Sequence, residues 1–93
     1  MATMRVELWG AVQGVGFRWF AREAARRLRL TGSVKNRPDG SVEIVVAGPD
    51  LQLQHFVEEM RAGPSGARVE GVRSQPADDV GILDDPFSIR GGG

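Results

Sequence analysis

The hydrophobic period of this chain changes from two to 3.6 across one glycine-bracketed turn, Val12-Gln13-Gly14-Val15-Gly16-Phe17-Arg18. Before it, Met4 to Ala11 reads as a strand in which Val6 and Leu8 alternate with Arg5, Glu7 and Trp9. After it, Phe17, Phe20, Ala21, Ala24, Ala25 and Leu28 form one continuous helical stripe, with Arg22, Glu23, Arg26 and Arg27 on the other face. A strand that passes into a helix over so few residues needs a tight backbone, which glycine supplies. Successive N–H groups in such a turn, followed by a helix N-terminus, make a concavity that attracts anions. Arg18 adds a planar fork of donors and a fixed charge at the start of that helix. Together these parts make a candidate phosphate cradle. The lysine and hydroxyl of the nucleotide loop G-x-x-x-x-G-K-[ST] are missing, and so is the third glycine of the dinucleotide fingerprint. Taken alone, the same residues also describe a plain strand-to-helix turn with a solvated arginine.

Gly32 closes the helical region, and Ser33 to Arg37 reads as a short strand. Pro38-Asp39-Gly40 is a turn signal, and Ser41 to Ala47 forms the second arm of a hairpin, with Val42, Ile44 and Val46 on one face and Val45 on the other. Gly48-Pro49-Asp50 opens a second helix whose buried stripe is Leu53, Phe56, Val57 and Met60, and Gly63-Pro64 stops it. His55 lies off that stripe, on the surface. Ala67 to Ser74 reads as a strand in which Gly71 marks a bulge. Gln75 to Pro86 reads as a polar loop, Phe87 to Arg90 as a short closing strand. The order β-α-β-β-α-β is that of a ferredoxin-like α+β sandwich, an antiparallel sheet with two helices on one face. Val6, Leu8, Phe20, Leu28, Val34, Ile44, Phe56 and Met60 are the expected core.

Composition narrows the chemistry. Ninety-three residues fit one domain, residues 1–93, with 1–3 and 91–93 expected to fray. The formal net charge is zero, which argues against a nucleic-acid or membrane-surface binder, so the arginines of the first helix read as a solvated face. With no cysteine there is no thiolate nucleophile and no cysteine metal site; the one histidine lies off the apolar stripe, which weighs against a Ser-His-Asp arrangement; no tyrosine offers a phenol. Asp78-Asp79 and Asp84-Asp85 lack the ligand ladder of a calcium loop, and solvation is their default reading. No apolar targeting segment or membrane span is expected. What remains near the cradle is arginine, backbone amides and the side chain of Asn36, enough to polarise a phosphoryl group and orient a water but without a strong base.

Two longer patterns add to this. Gly10-Ala11-Val12-Gln13-Gly14-Val15-Gly16-Phe17-Arg18 matches G-x-V-Q-G-V-G-F-R throughout. Gly32-Ser33-Val34-Lys35-Asn36-Arg37-Pro38-Asp39-Gly40-Ser41-Val42-Glu43 matches G-W-V-x-N-x-x-D-G-x-V-E except at Ser33, where tryptophan is usual. In these motifs, and from about Arg5 to Arg90, the chain resembles the acylphosphatase family. The resemblance implies hydrolysis of the carboxyl–phosphate bond of a small-molecule acyl phosphate to carboxylate and inorganic phosphate, the latter also a competitive inhibitor. By that analogy Arg18 and the amides of Gln13, Gly14, Val15, Gly16, Phe17 and Arg18 hold the phosphate. Asn36 holds the attacking water, and the substrate phosphate accepts its proton. No metal or other cofactor, no nucleic acid and no membrane is implied, and a cytoplasmic monomer is expected. Taken alone, Asn36 beside a hairpin turn also suits local hydrogen bonding. Ser33 puts local stability in question, and Gly91 stands where the family often ends in an aromatic.

Other classes share the element order. RNA-recognition modules stack bases on strand aromatics, but Ser41 to Ala47 has none. A non-catalytic ligand-binding or regulatory domain with the same fold is the other alternative, and the cradle together with Asn36 argues against it. An acylphosphatase-like domain of a carbamoyl-phosphate-using maturation protein would belong to a much longer chain.

Overall fold

The computed structural model describes Met1 to Gly91; Gly92 and Gly93, the end of the tail expected to fray, lie outside the described residues. The elements in chain order are β1 (Ala2–Ala11), α1 (Phe17–Arg27), β2 (Thr31–Asn36), β3 (Val42–Gly48), α2 (Asp50–Ala62), β4 (Arg68–Pro76) and β5 (Ser88–Ile89). The sheet runs β4-β1-β3-β2-β5. Neighbours among β4, β1, β3 and β2 pair antiparallel, the ferredoxin-like arrangement, whereas β5 joins β2 in parallel, so the sheet is mixed rather than wholly antiparallel.

The period-two pattern decides which face is buried. Val6 and Leu8 of β1, Val34 of β2, and Val42, Ile44 and Val46 of β3 are fully buried on the helix side. Phe17, Ala21, Ala24 and Ala25 of α1 and Leu53, Phe56, Val57 and Met60 of α2 close over them. Phe20 and Leu28, expected in the core, are only partly buried. The short alanines bring α1 down onto the sheet, and these two longer side chains flank that contact; Phe20 meets Phe17 edge-on, with ring centroids 5.9 Å apart. Phe87 precedes β5 and is fully buried against Phe56, with centroids 6.2 Å apart.

Several boundaries differ from the pattern-based expectation, each for a tertiary reason. Ala2 and Thr3 do not fray: they pair with Gly48 and Ala47. Gly32 does not end the first helix. The helix closes in a Schellman motif, with Leu30 N–H donating to Ala25 O and Arg29 N–H to Arg26 O, and Arg29 itself takes the left-handed position at φ 60°. Gly32 lies inside β2 at φ 132°, where a Cβ would stand 1.9 Å from Val45 O. Gln75 and Pro76, expected in a loop, extend β4 by pairing with Arg5 and Met4. The bulge is present: Trp9 faces Gly71 and Gly10 faces Val69, which leaves Glu70 unmatched.

The other face of the sheet is polar. Arg37 donates to both Glu7 and Glu43, and Glu43 also lies 3.4 Å from Arg5 and from Lys35. Burial pushes the Glu43 carboxyl up, but its bonds and charge pairing with Arg37 and Lys35 outweigh this and hold it below the ordinary range. Ser33 lines a hollow of about 270 Å³ on this face, beside Val80, Ile82 and Leu83 of the β4–β5 loop.

Candidate active site

Two left-handed glycines build the β1–α1 junction. Gly14 and Gly16 both sit at φ 77°, and a Cβ at either would meet nothing within 4 Å, so backbone angle rather than space demands glycine there. Gly16 is the N-cap of α1, which has no side-chain cap and no acidic residue in its first turn. Its first intrahelical bond runs from Phe20 N–H to Gly16 O at 3.0 Å, which leaves the N–H groups of Phe17, Arg18 and Trp19 without helical acceptors. Fully buried Phe17 anchors this end of the helix in the core, so the free donors are held rather than frayed.

These donors border a hollow of about 190 Å³ lined by Val12, Gly14, Gly16, Phe17, Arg18, Trp19, Asn36 and Ile89. Arg18 is half-buried, and its Nη1 stands 3.4 Å from Gly91 O. Among the described residues no carboxylate pairs with it, although Arg5, Arg22, Arg27, Arg37, Arg61 and Arg90 each have one. Asn36 ends β2 opposite Val42. Its Oδ1 is buried and has no hydrogen-bond partner among the described residues. Such an orphan costs roughly 1–3 kcal/mol and calls for an external donor.

The hairpin that presents Asn36 is itself braced. Asp39 accepts from Ser41 N–H at 2.9 Å and Ser41 Oγ at 2.6 Å, and Arg37 N–H donates to Ser41 O. Gln13 Nε2 then donates to Arg37 O and Ser41 O, both at 2.8 Å. One amide therefore ties the cradle loop to the turn next to Asn36.

The structure brings Gly14, Gly16, Phe17, Arg18 and Asn36 to one hollow, while the side chains of Gln13 and Val15 do not line it. Gln13 points to the hairpin, and Val15 is half-buried beside Gly66. Sequence reasoning missed Val12, Trp19 and Ile89 as lining residues. For Trp19 a signal existed: it adjoins Arg18 and lies off the apolar stripe, so it must face outward.

Chemically, the hollow offers a guanidinium and oriented N–H groups, with Asn36 on its lining. That set suits a tetrahedral anion and a water beside it. A larger groove, of about 660 Å³, lies between α2 and the ends of β1 and β4; it has no arginine and includes Asp50 and Glu58, the wrong sign for phosphate. Exposed His55 borders that groove. Among the described residues no three metal-ligating side chains converge. Asp79 faces Arg5, and Asp84 is held by Ser88 and Arg90, whose hydrogen bonds lower its pKa to about 2. Among the described residues no helix is long and apolar enough to cross a membrane.

The family model for acylphosphatase matches residues 4–89. An acylphosphatase of Latilactobacillus sakei is 45% identical over 89 residues, covering 95% of this chain and 96% of the other. The crystal structure of acylphosphatase from Bacillus subtilis superposes with a TM-score of 0.89 at 39% identity, covering 97% and 99% of the two chains. The crystal structure of T. kodakarensis HypF also matches, with a TM-score of 0.83 and 31% identity, over 99% of this chain but 12% of that one.

Proposed function

The chain belongs to the acylphosphatase family, and we infer from its geometry how its residues carry out the reaction. It hydrolyses the carboxyl–phosphate bond of small acyl phosphates. The Arg18 guanidinium and the cradle amides from Gln13 to Arg18 hold the phosphoryl oxygens. The Asn36 side chain orients the water: its Oδ1 accepts one water hydrogen and aims the oxygen at phosphorus. The water–phosphorus bond forms as the bond from phosphorus to the acyl oxygen breaks, and the carboxylate leaves with the electron pair. The second water proton passes to a phosphoryl oxygen. A carboxylate is a good leaving group, so positioning and charge stabilisation suffice without a strong base.

The observation that carries this reading is one hollow lined by Asn36 and by Arg18, which pairs with no carboxylate among the described residues. Release of phosphate from acetyl phosphate under exhaustive chelation tests it. We expect undiminished turnover; activity abolished by a chelator and restored by a divalent cation would overturn it. The reading includes inorganic phosphate as a competitive inhibitor, a monomer and a cytoplasmic location. Inhibition kinetics, gel filtration and cell fractionation check these in turn.

A further inference from the structure

The hydrolysis just described leaves Trp19 without a task. Its side chain is large and apolar, yet 57% exposed, and it lines the same hollow as Arg18 and Asn36. Other exposed apolar side chains lie elsewhere: Leu51 on α2, Ile82 in the β4–β5 loop, and Trp9 over Gly71. The Arg22 guanidinium stands 5.9 Å from the Trp19 ring centroid, a cation–π contact that restrains the indole one turn into α1.

Anchoring decides where a substrate's carbons go. With the phosphoryl group held by the N–H groups at the helix start and by Arg18, the acyl carbons extend from the bridging oxygen along the rest of the lining, where the exposed apolar surface is the Trp19 indole, with Ile89 also on the lining. We propose that Trp19 is a specificity-determining residue: its indole is the platform on which the acyl group stacks. It selects planar, apolar acyl phosphates over small aliphatic ones. This rests on the acylphosphatase reading, which supplies the acyl group.

Steady-state kinetics on benzoyl phosphate and acetyl phosphate, with inorganic phosphate as inhibitor, tests the proposal on Trp19→Ala and Trp19→Phe. Trp19→Ala should raise KM for benzoyl phosphate about fivefold, the scale of an aromatic stacking pair, and Trp19→Phe should keep most of the preference. Any rise in KM for acetyl phosphate and any weakening of phosphate inhibition should be smaller than that rise, so that the ratio of the two KM values shifts. An equal rise on both substrates, a loss of phosphate inhibition that matches the rise for benzoyl phosphate, or no change at all would each refute it. A second readout does not depend on turnover. In a Trp9→Phe background Trp19 is the only indole, and its emission should respond to benzoylphosphonate, whose carbon–phosphorus bond cannot be hydrolysed in this way, and much less to acetylphosphonate. Selective emission changes in a protein that hydrolyses neither acyl phosphate would sink the catalytic reading and leave the platform standing. Hydrolysis of both, with emission and KM indifferent to the ring, would sink the platform and leave the catalytic reading standing.

Discussion

The two strand-to-helix junctions of this fold solve the same problem in opposite ways. At β3–α2 the chain enters through extended Pro49, and Asp50 places a carboxylate in the first turn, where the helix N-terminus attracts negative charge. At β1–α1 it enters through left-handed Gly16 with no cap and no acid in the first turn. Neither N-terminus has a side-chain cap, but the second carries a carboxylate in its first turn and serves the core. The first leaves its donors free, places Arg18 among them and borders the hollow that Asn36 reaches from β2. Within one topology, a binding end and a structural end differ by a few residues at the junction.

The sharpest way to break this contrast is at Arg18. Arg18→Lys keeps the charge and loses the planar fork, and we expect catalytic efficiency to fall on the order of 10²-fold or more, with phosphate inhibition weakened and thermal stability little changed. Near-normal turnover with near-normal phosphate inhibition would show that the open junction does not bind through Arg18. Asn36→Ala should act on the other half of the site. It should lower kcat by roughly 10²-fold while leaving phosphate inhibition nearly intact, because it removes a contact made to the water and not to phosphate. A small kinetic change joined to lower stability would return Asn36 to the role of a hairpin residue.

Gly16→Ala tests the junction's backbone. The added methyl meets no neighbour, so the strain at φ 77° is the whole effect: about 1–2 kcal/mol of stability, together with poorer phosphate inhibition as the cradle relaxes. Unaltered chemical denaturation would mean that the left-handed cap is dispensable. The smallest effect belongs to the structural end. Asp50→Asn should cost about 0.3–1 kcal/mol at low salt and less at high salt, with kcat and KM unchanged. A kinetic phenotype there would erase the distinction between the two junctions.

The chain's own pattern determined a good deal. Period-two and period-3.6 stripes placed all seven elements in order and identified the buried valines of β1 and β3, because apolar periodicity is a local property. Gly14, Gly16 and Arg18 were legible as candidate site residues because the chemistry they offer is written in residue type, whereas Asn36 was legible only through the resemblance of its motif, since alone it also suits local hydrogen bonding. Tertiary structure alone decided what each neighbour does. Gln13 belongs to the same motif as Arg18, yet its amide crosses to the carbonyls of Arg37 and Ser41, and only folding brings those within 2.8 Å. Arg29 rather than Gly32 takes the left-handed position after α1, because Gly32 is required where β2 passes against Val45 O. Gln75 and Pro76 become strand because β1 offers them an edge, and β5 runs parallel because the chain returns beside β2. Trp19 became a site residue only when α1 was docked so that its outward face met the hollow. A sequence carries propensities and chemical groups; distances between residues far apart in the chain exist only once the sheet has closed.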